Sequence, residues 1–215
     1  MKVLILVLSV DDHSIYSEFN KAQLETWDSI DVDGIETYYY YGGNDKNDII
    51  DNKILLSLDE TLYNCGSKTL MCFDMIKEME FDYIFRTNSS SYVDKKLLKE
   101  YLVDKPKTNY YSGIIGNYEG IKFSSGSGYF LSRDLFNLVL ENKKKWNHEY
   151  IDDVALGLLL HGLNIPPTLT LRYDVTSDNI PLKYFHYRLK LDGIDRNVDI
   201  NNMYEIHRLK NETNK

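Results

Sequence analysis

Two adjacent acids, Asp152 and Asp153, are the residues with the clearest capacity for chemistry. They precede residues 154–160, which read VALGLLL, a composition typical of a buried helix whose single polar end would carry both carboxylates. Acids in a first helical turn interact favourably with the helix dipole, by a few tenths to about 1 kcal/mol each. A carboxylate placed there can also accept a proton from a reacting hydroxyl group. The sequence leaves open both a capping role and a general-base role for this pair.

A second stretch with chemical capacity covers residues 81–93, which read FDYIFRTNSSSYV. The apolar run 83–85 predicts a short buried strand, and the polar residues from Arg86 onwards predict a loop. Ligands of open parallel sheets bind beyond the carboxyl ends of the strands. We therefore expect Asn88, Ser89, Ser90 and Ser91 to face a bound molecule; the alternative is that they cap the next helix and form its turn.

Basic side chains could bind a phosphate group. His186, Arg188 and Lys190 alternate along the chain, so a strand would place all three on one face. An arginine fork and a lysine charge are suited to a diphosphate, although a solvated edge strand would show the same pattern. Lys68 and Arg86 are further candidates; for Arg86 the alternative is an ion pair with a buried acid.

The bulk composition limits the classes of function. The chain has 215 residues, suited to one domain, and its net charge of −8 opposes binding to nucleic acid or to an anionic lipid surface. The apolar run at residues 3–8 is too short for a signal sequence or a membrane span, so we expect a cytoplasmic protein without a transmembrane segment. We expect Cys65 and Cys72 to be reduced.

Strand and helix patterns alternate along the first half of the chain and then give way to shorter strands and loops. We expect a single-domain, three-layer α/β/α fold with a mostly parallel central mixed sheet. A polar surface segment is predicted at 44–53, and Ser14 and Ser132 are predicted helix caps. The predicted strands are 2–10, 35–41, 54–56, 83–85, 110–115, 121–131 (with a glycine-bearing loop), 169–173 and 184–189; the predicted helices follow Ser14 and cover 68–79, 94–103, 133–142, 150–161 and 198–209.

Four segments occur in an order that is similar to a known family. They are DETLY with Lys68-Thr69, FDYIFRT at 81–87, SGSGYFLSRDL at 125–135, and IDDV at 151–154 followed by Gly157 and LNI. Over most of the chain this series resembles the β-1,3-galactosyltransferase and fringe-type glycosyltransferases of the GT-A fold. The size and the Arg-Thr-Asn motif are also similar to compact glycosyltransferase domains encoded by large algal DNA viruses.

The resemblance implies a hexosyltransferase-like enzyme that moves a sugar from a nucleotide-diphosphate sugar, with UDP-sugars favoured, to a hydroxyl of a glycan or glycoprotein, with inversion. It places the catalytic base at Asp153, with Asp152 in reserve. The nucleotide-sugar half would cover about 1–105 and the acceptor half about 106–215. Ser9, Asp11 and Asp12 would contact the donor. The acceptor side would carry Tyr129 or Trp146 as a stacking residue, together with the small residues Ser125, Gly126, Ser127 and Gly128.

One departure from the family concerns its metal. Where the family has an Asp-x-Asp motif for Mn²⁺ or Mg²⁺, this chain has Asn88-Ser89-Ser90, whose neutral oxygens do not replace carboxylate charge. Either a metal is held by other ligands, with His186 and Ser90 as the candidates, or Arg188 and Lys190 neutralise the diphosphate. The same departure supports an alternative function, a catalytically inactive module that binds a glycan or nucleotide sugar.

Overall fold

The computed structural model describes residues 1–11, 14–176, 179–190 and 195–213. The chain forms two compact units. Unit 1 comprises Met1–Val10, Glu36–Asn88 and Pro106–Thr170, and unit 2 comprises Asp11–Ile35, Ser89–Lys105 and Leu171–Lys215. The units interleave along the chain, so they do not coincide with the consecutive functional halves 1–105 and 106–215, which stay a prediction.

Eleven strands and six α-helices are found in the described residues. The strands are β1 (Val3–Leu8), β2 (Ile35–Tyr41), β3 (Asp48–Ile50), β4 (Lys53–Leu55), β5 (Tyr83–Asn88), β6 (Ser91–Val93), β7 (Tyr111–Tyr118), β8 (Ile121–Ser132), β9 (Thr168–Leu169), β10 (Tyr173–Asp174) and β11 (His186–Arg188). The helices are α1 (Ile15–Glu25), α2 (Cys65–Ile76), α3 (Lys95–Leu102), α4 (Arg133–Glu141), α5 (Asp152–Gly162) and α6 (Arg196–Thr213). Within the described residues, no helix combines the length and apolar character needed to span a bilayer.

The main sheet has eight strands in the order β3-β4-β2-β1-β5-β8-β7-β9. Strand β1 pairs in parallel with β5, with Leu8 opposite Asn88, and β5 pairs antiparallel with β8, with Thr87 opposite Gly128. The sheet is therefore mixed, and the predicted α/β class is confirmed. Strand β1 forms at the sheet centre because its six consecutive apolar residues suit burial on both faces.

The core of unit 1 lies between one face of the sheet and helices α2, α4 and α5. Leu4 and Leu6 of β1 belong to this core, together with Phe73 of α2, Phe136 of α4 and Leu156 of α5. Each of these helices is long enough to bury an apolar stripe against the sheet, which fixes its orientation. The first turn of α5 thereby comes to lie against β5 and β8, as the contacts of its two acids demonstrate.

Unit 2 contains a three-stranded sheet in the order β10-β11-β6, and helices α1, α3 and α6. Ser14 caps α1 as predicted, because its hydroxyl accepts a hydrogen bond from the Tyr16 N–H. Asp94 caps α3 in the same way, accepting from the Leu97 N–H at 3.0 Å. Helices α1 and α6 pack against each other.

Three local predictions are wrong. Strand β5 continues through Arg86 to Asn88 because β1 and β8 provide hydrogen-bonding partners on both sides, which override the polar composition. For the same reason residues 125–128 lie within continuous strand β8 and do not form a loop. Residues 48–50 form β3 inside the predicted polar segment. Ser132 occupies the predicted N-cap position of α4, but its hydroxyl accepts a hydrogen bond from the Tyr110 N–H and donates to the Asp134 carboxylate, so it makes no side-chain capping bond to the helix.

Candidate functional site

A buried arginine holds one of the two predicted catalytic acids. Nη2 of Arg86 lies 2.8 Å from Oδ2 of Asp152, and both side chains are at most 5% exposed. The guanidinium also donates from Nε to the Tyr40 hydroxyl at 3.0 Å and from Nη1 to the Gly126 carbonyl. These contacts join β5, α5, β2 and β8 at one point. They favour the ion-pair role of Arg86 over contact with a phosphate group.

The Arg86–Asp152 pair shows the cost of burying charge. Burial raises the pKa of Asp152 to about 7, although the Arg86 charge acts in the opposite direction and the charge of Asp153 adds to the increase. Burial also opposes ionisation of Arg86 and is the largest single influence on it, but the charge of Asp152 acts together with Tyr40 and Tyr129 to keep the Arg86 pKa above its ordinary value. The protonation of Asp152 is therefore sensitive to pH near neutrality.

Asp153 has different partners. Its Oδ2 accepts a hydrogen bond from the Gly126 N–H at 2.7 Å, and its Oδ1 accepts one from the Val154 N–H at 2.9 Å. No ion pair involves it in the described residues, so only backbone donors hold its carboxylate. Asp153 is therefore oriented while each of its oxygens keeps a lone pair for a further hydrogen bond.

Gly126 allows this close approach. A Cβ atom on Gly126 would lie 2.9 Å from Nη1 of Arg86 and 3.1 Å from Oδ2 of Asp153. Its place on the acceptor side stays a prediction, and its N–H and carbonyl groups contact Asp153 and Arg86 directly. A role for this glycine in positioning both charged side chains follows from the geometry.

Lys68 lies at the carboxyl end of β1. Its Nζ contacts both carboxylate oxygens of Glu60 at 2.7 and 2.6 Å and the Ser9 carbonyl at 2.5 Å. Burial lowers the pKa of Lys68, whereas Glu60 acts to raise it. Because Ser9 follows Leu8, which lies opposite Asn88, Lys68 and Ser9 are found near the end of β5 as well. The contacts of Lys68 favour a structural role.

Asn88 ends β5 on the same face as Arg86, because side chains two residues apart in a strand share a face. It is half-buried. In unit 1, most of the residues predicted to contact the donor lie close to both acids at the carboxyl ends of β1 and β5. Ligands of such sheets bind at these strand ends. The residues brought together are Ser9, Lys68, Arg86, Asn88, Asp152 and Asp153.

The remaining predicted acceptor residues lie within strand β8. The hydroxyl oxygens of Ser125 and Ser127 lie 3.1 Å apart, and the Ser127 carbonyl accepts a hydrogen bond from Thr87. Gly128 lies opposite Thr87 in the sheet. Tyr129 and Trp146, predicted to stack on a sugar, are core residues only 0% and 4% exposed, so that expectation is wrong. Their apolar rings are covered by the sheet–helix core.

In unit 2, the basic residues predicted to share one face have different environments. His186 is buried in β11, and its Nε2 lies 3.1 Å from the Ser91 hydroxyl. Arg188 is partly exposed, with Nη1 3.7 Å from Oδ2 of Asp174. Lys190 is exposed and lies beyond the end of β11, which stops at Arg188, so the prediction of one continuous basic face is wrong. Asp11 is exposed, and Asp12 lies outside the described residues.

Several solved glycosyltransferases share this architecture. The chain is similar to a glycosyltransferase involved in the glycosylation of the major capsid of PBCV-1, with a TM-score of 0.59, 16% identity, and coverage of 95% of this chain and 100% of that one. The chain has a glycosyltransferase fold. GlyE of Streptococcus pneumoniae TIGR4 gives a TM-score of 0.51 at 10% identity, covering 95% of this chain and 64% of that one. An active-site mutant of LgtC gives 0.52 at 9% identity, covering 96% of this chain and 95% of that one.

Sequence comparison adds nothing to this result, because no family model and no curated protein matches the chain. The predicted α/β glycosyltransferase fold is confirmed by the structural similarity. The finer resemblance to fringe-type enzymes stays a prediction.

The glycosyltransferase fold raises the question of a metal ion at residues 88–90. The Ser90 hydroxyl accepts a hydrogen bond from Nη2 of Arg196 at 2.6 Å, and a guanidinium at that distance would repel a divalent cation. Within the described residues, no group of three or more His, Cys, Asp and Glu side chains could hold a metal ion. The neutral oxygens and the adjacent arginine do not fit a metal site at this turn.

Two side chains, one in each unit, make contacts that are not predicted from the sequence. Tyr40 orients Arg86 from strand β2, which β1 separates from β5, but in the sequence it is one of four consecutive tyrosines. Arg196 begins α6 and contacts Ser90, although 106 residues separate the two in the chain. Neither residue belongs to a recognisable motif, so only the fold identifies them.

Proposed function

We propose that the chain transfers a sugar from a nucleotide-diphosphate sugar to a hydroxyl of a glycan or glycoprotein, with Asp153 as the general base. The observation that carries this proposal is the difference between the two acids. Asp152 is engaged by Arg86, whereas Asp153 is oriented by backbone N–H groups alone. Similarity to solved glycosyltransferases, including one involved in the glycosylation of a viral capsid, supports this class of reaction.

The proposed step is a direct displacement with inversion. The acceptor hydroxyl oxygen attacks the anomeric carbon of the donor, and the bond from that carbon to the diphosphate breaks. Asp153 takes the proton from the attacking hydroxyl, so that the oxygen gains nucleophilic character as the diphosphate leaves. Arg86 holds Asp152, and Gly126 holds Asp153; both are positioning residues in this scheme.

Donor contacts are proposed for residues at or beyond the ends of β1 and β5. They are Ser9, Asp11, Asp12, Asn88, Ser89 and Ser90, with a UDP-sugar as the favoured donor. We assign Lys68 to positioning the chain at Ser9, because its ammonium group is already engaged by Glu60 and by the Ser9 carbonyl. Contact of Arg188 and Lys190 with the donor stays a proposal.

A screen of nucleotide sugars tests the function. A donor that binds only the folded state at a hundred times its dissociation constant stabilises the protein by about 2.7 kcal/mol and raises the unfolding temperature by about 5–10 °C. Mass spectrometry should then show transfer of the sugar to an oligosaccharide acceptor. An absence of both stabilisation and transfer across UDP- and GDP-sugars would contradict the proposal.

The second candidate, a binding module without catalysis, is favoured by the neutral triplet Asn88-Ser89-Ser90. It predicts stabilisation by a nucleotide sugar or a glycan with neither transfer nor hydrolysis of the donor. Incubation of the donor with the protein for many hours, with the free nucleotide measured, separates the two functions.

A further inference from the structure

Arg196 is held by several contacts beside the turn formed by Ser89 and Ser90 in unit 2, called the serine turn below. Its Nη2 donates to the Ser90 hydroxyl at 2.6 Å, and its Nη1 donates to the Leu189 carbonyl at 2.9 Å and to the carboxylate of Asp199. The centre of the Phe19 ring lies 4.6 Å from Cζ of the Arg196 guanidinium, in a cation–π contact. These contacts fix the plane of the guanidinium, so a further hydrogen bond from it would cost little side-chain entropy.

The Arg196 guanidinium has N–H groups that remain available to bind a ligand. The Arg196 side chain is 22% exposed, whereas the side chain of its partner Asp199 is fully buried. A ligand can therefore reach the arginine of this ion pair but not the carboxylate. An arginine has five N–H donors, of which three have the acceptors described above. The Nε–H group and the second N–H of Nη2 donate to no acceptor in the part of the chain that the structure describes. A planar, charged pair of donors matches a phosphate group.

We propose that Arg196 binds the diphosphate of the donor and takes the place of a divalent cation at the serine turn. The proposal rests on the proposed function, because it assumes a nucleotide-diphosphate ligand. Two observations carry it: the Ser90 hydroxyl already accepts from a cationic side chain, and that side chain has two further donors at a partly exposed position. Diphosphate binding is then independent of added metal.

Isothermal titration with UDP, GDP, uridine and guanosine, in EDTA and in MnCl₂, tests this proposal. We expect the diphosphate to bind more tightly than its nucleoside, and equally well under both conditions. The variant R196Q/D199N removes both charges without leaving Asp199 buried and unpaired. Its affinity for the diphosphate should fall by about 10-fold or more, as expected for loss of charge-assisted hydrogen bonds, while nucleoside binding is unchanged.

A matched control lies on the same helix. Arg208 pairs with Glu212 one turn further along α6, at side-chain exposures of 54% and 57%. The variant R208Q/E212Q also removes one charge of each sign, and its nucleotide affinities should equal those of the wild type. A second variant, R196K, retains the charge but loses the fork, and should bind the diphosphate more weakly without affecting nucleoside binding.

The outcomes separate the two proposals. A wild-type protein that binds none of the nucleotides contradicts the proposed function. A wild-type protein that binds a diphosphate only with Mn²⁺, or an R196Q/D199N variant with unchanged preference for the diphosphate over the nucleoside, contradicts the role of Arg196 alone. If R196Q/D199N does not fold, as judged by thermal unfolding, unchanged diphosphate affinity of R196K gives the same negative answer.

Discussion

Nη2 of Arg86 lies 2.8 Å from Oδ2 of Asp152, and this buried ion pair joins strand β5 to the first turn of helix α5. The pair gives the two neighbouring acids different environments. Asp152 is bound to a cation, whereas Asp153 is turned toward the backbone of β8 and held by the Gly126 N–H. Substitutions at the two acids should therefore have different effects.

Asp153→Asn should lower the rate of sugar transfer by about 10²-fold or more, because an amide does not accept the proton of the acceptor hydroxyl. Binding of the donor should be nearly unchanged, since the loss concerns the reacting hydroxyl. Transfer rates and donor titrations measure the two effects separately. The control is Asp134→Asn, which alters a first-turn acid of α4 outside the site. A wild-type rate in the Asp153→Asn variant would exclude Asp153 as the base.

Arg86→Met should destabilise the fold by about 3–5 kcal/mol, because it leaves the Asp152 carboxylate buried without its cation. The double variant R86M/D152L removes both charges and should recover part of this loss. Urea unfolding at one pH provides the free energies. Arg208→Met removes an exposed arginine and should cost less than about 1 kcal/mol. Equal losses at the two positions would contradict a special role for the buried pair.

Stability should depend on pH through Asp152. Burial raises its pKa from an ordinary value of 3.8 to about 7, so the folded state binds the proton more tightly than the unfolded state. The contribution of this group to the free energy of unfolding therefore falls as the pH rises from about 4 to 7. Asp152→Asn removes this titration. We expect the wild type to lose stability relative to that variant between pH 5 and pH 7 in urea unfolding, and a constant difference would contradict the raised pKa.

Gly126→Ala should disturb the site directly, because the added Cβ would lie 2.9 Å from Nη1 of Arg86. We expect a loss of about 1–3 kcal/mol in unfolding free energy, as for other overpacked positions, and reduced transfer. Gly162→Ala is the matched control, since a Cβ at the last residue of α5 meets no atom within 4 Å. Similar stabilities for the two alanine variants would show that Gly126 is not needed for close approach.

The sequence predicted elements whose signal is local. The apolar run at residues 2–10 contains β1, the predicted strand 35–41 coincides with β2, and Ser14 caps α1. The pair Asp152-Asp153 was placed correctly at the start of a buried helix. These predictions depend on side-chain periodicity and capping, both of which involve residues within a few positions of one another.

Tertiary structure decided which side chains are available to a ligand. Arg86, Tyr129 and Trp146 are polar or amphipathic, yet the fold buries all three, whereas Arg196 is brought to Ser90 from 106 residues away. Strand pairing likewise carried β5 through three polar residues that the sequence alone assigned to a loop. The chain thus encodes its strands, helices and caps through short-range patterns. The partners of its charged groups follow from strand order and long-range packing, because burial and charge pairing depend on residues that are distant in the sequence.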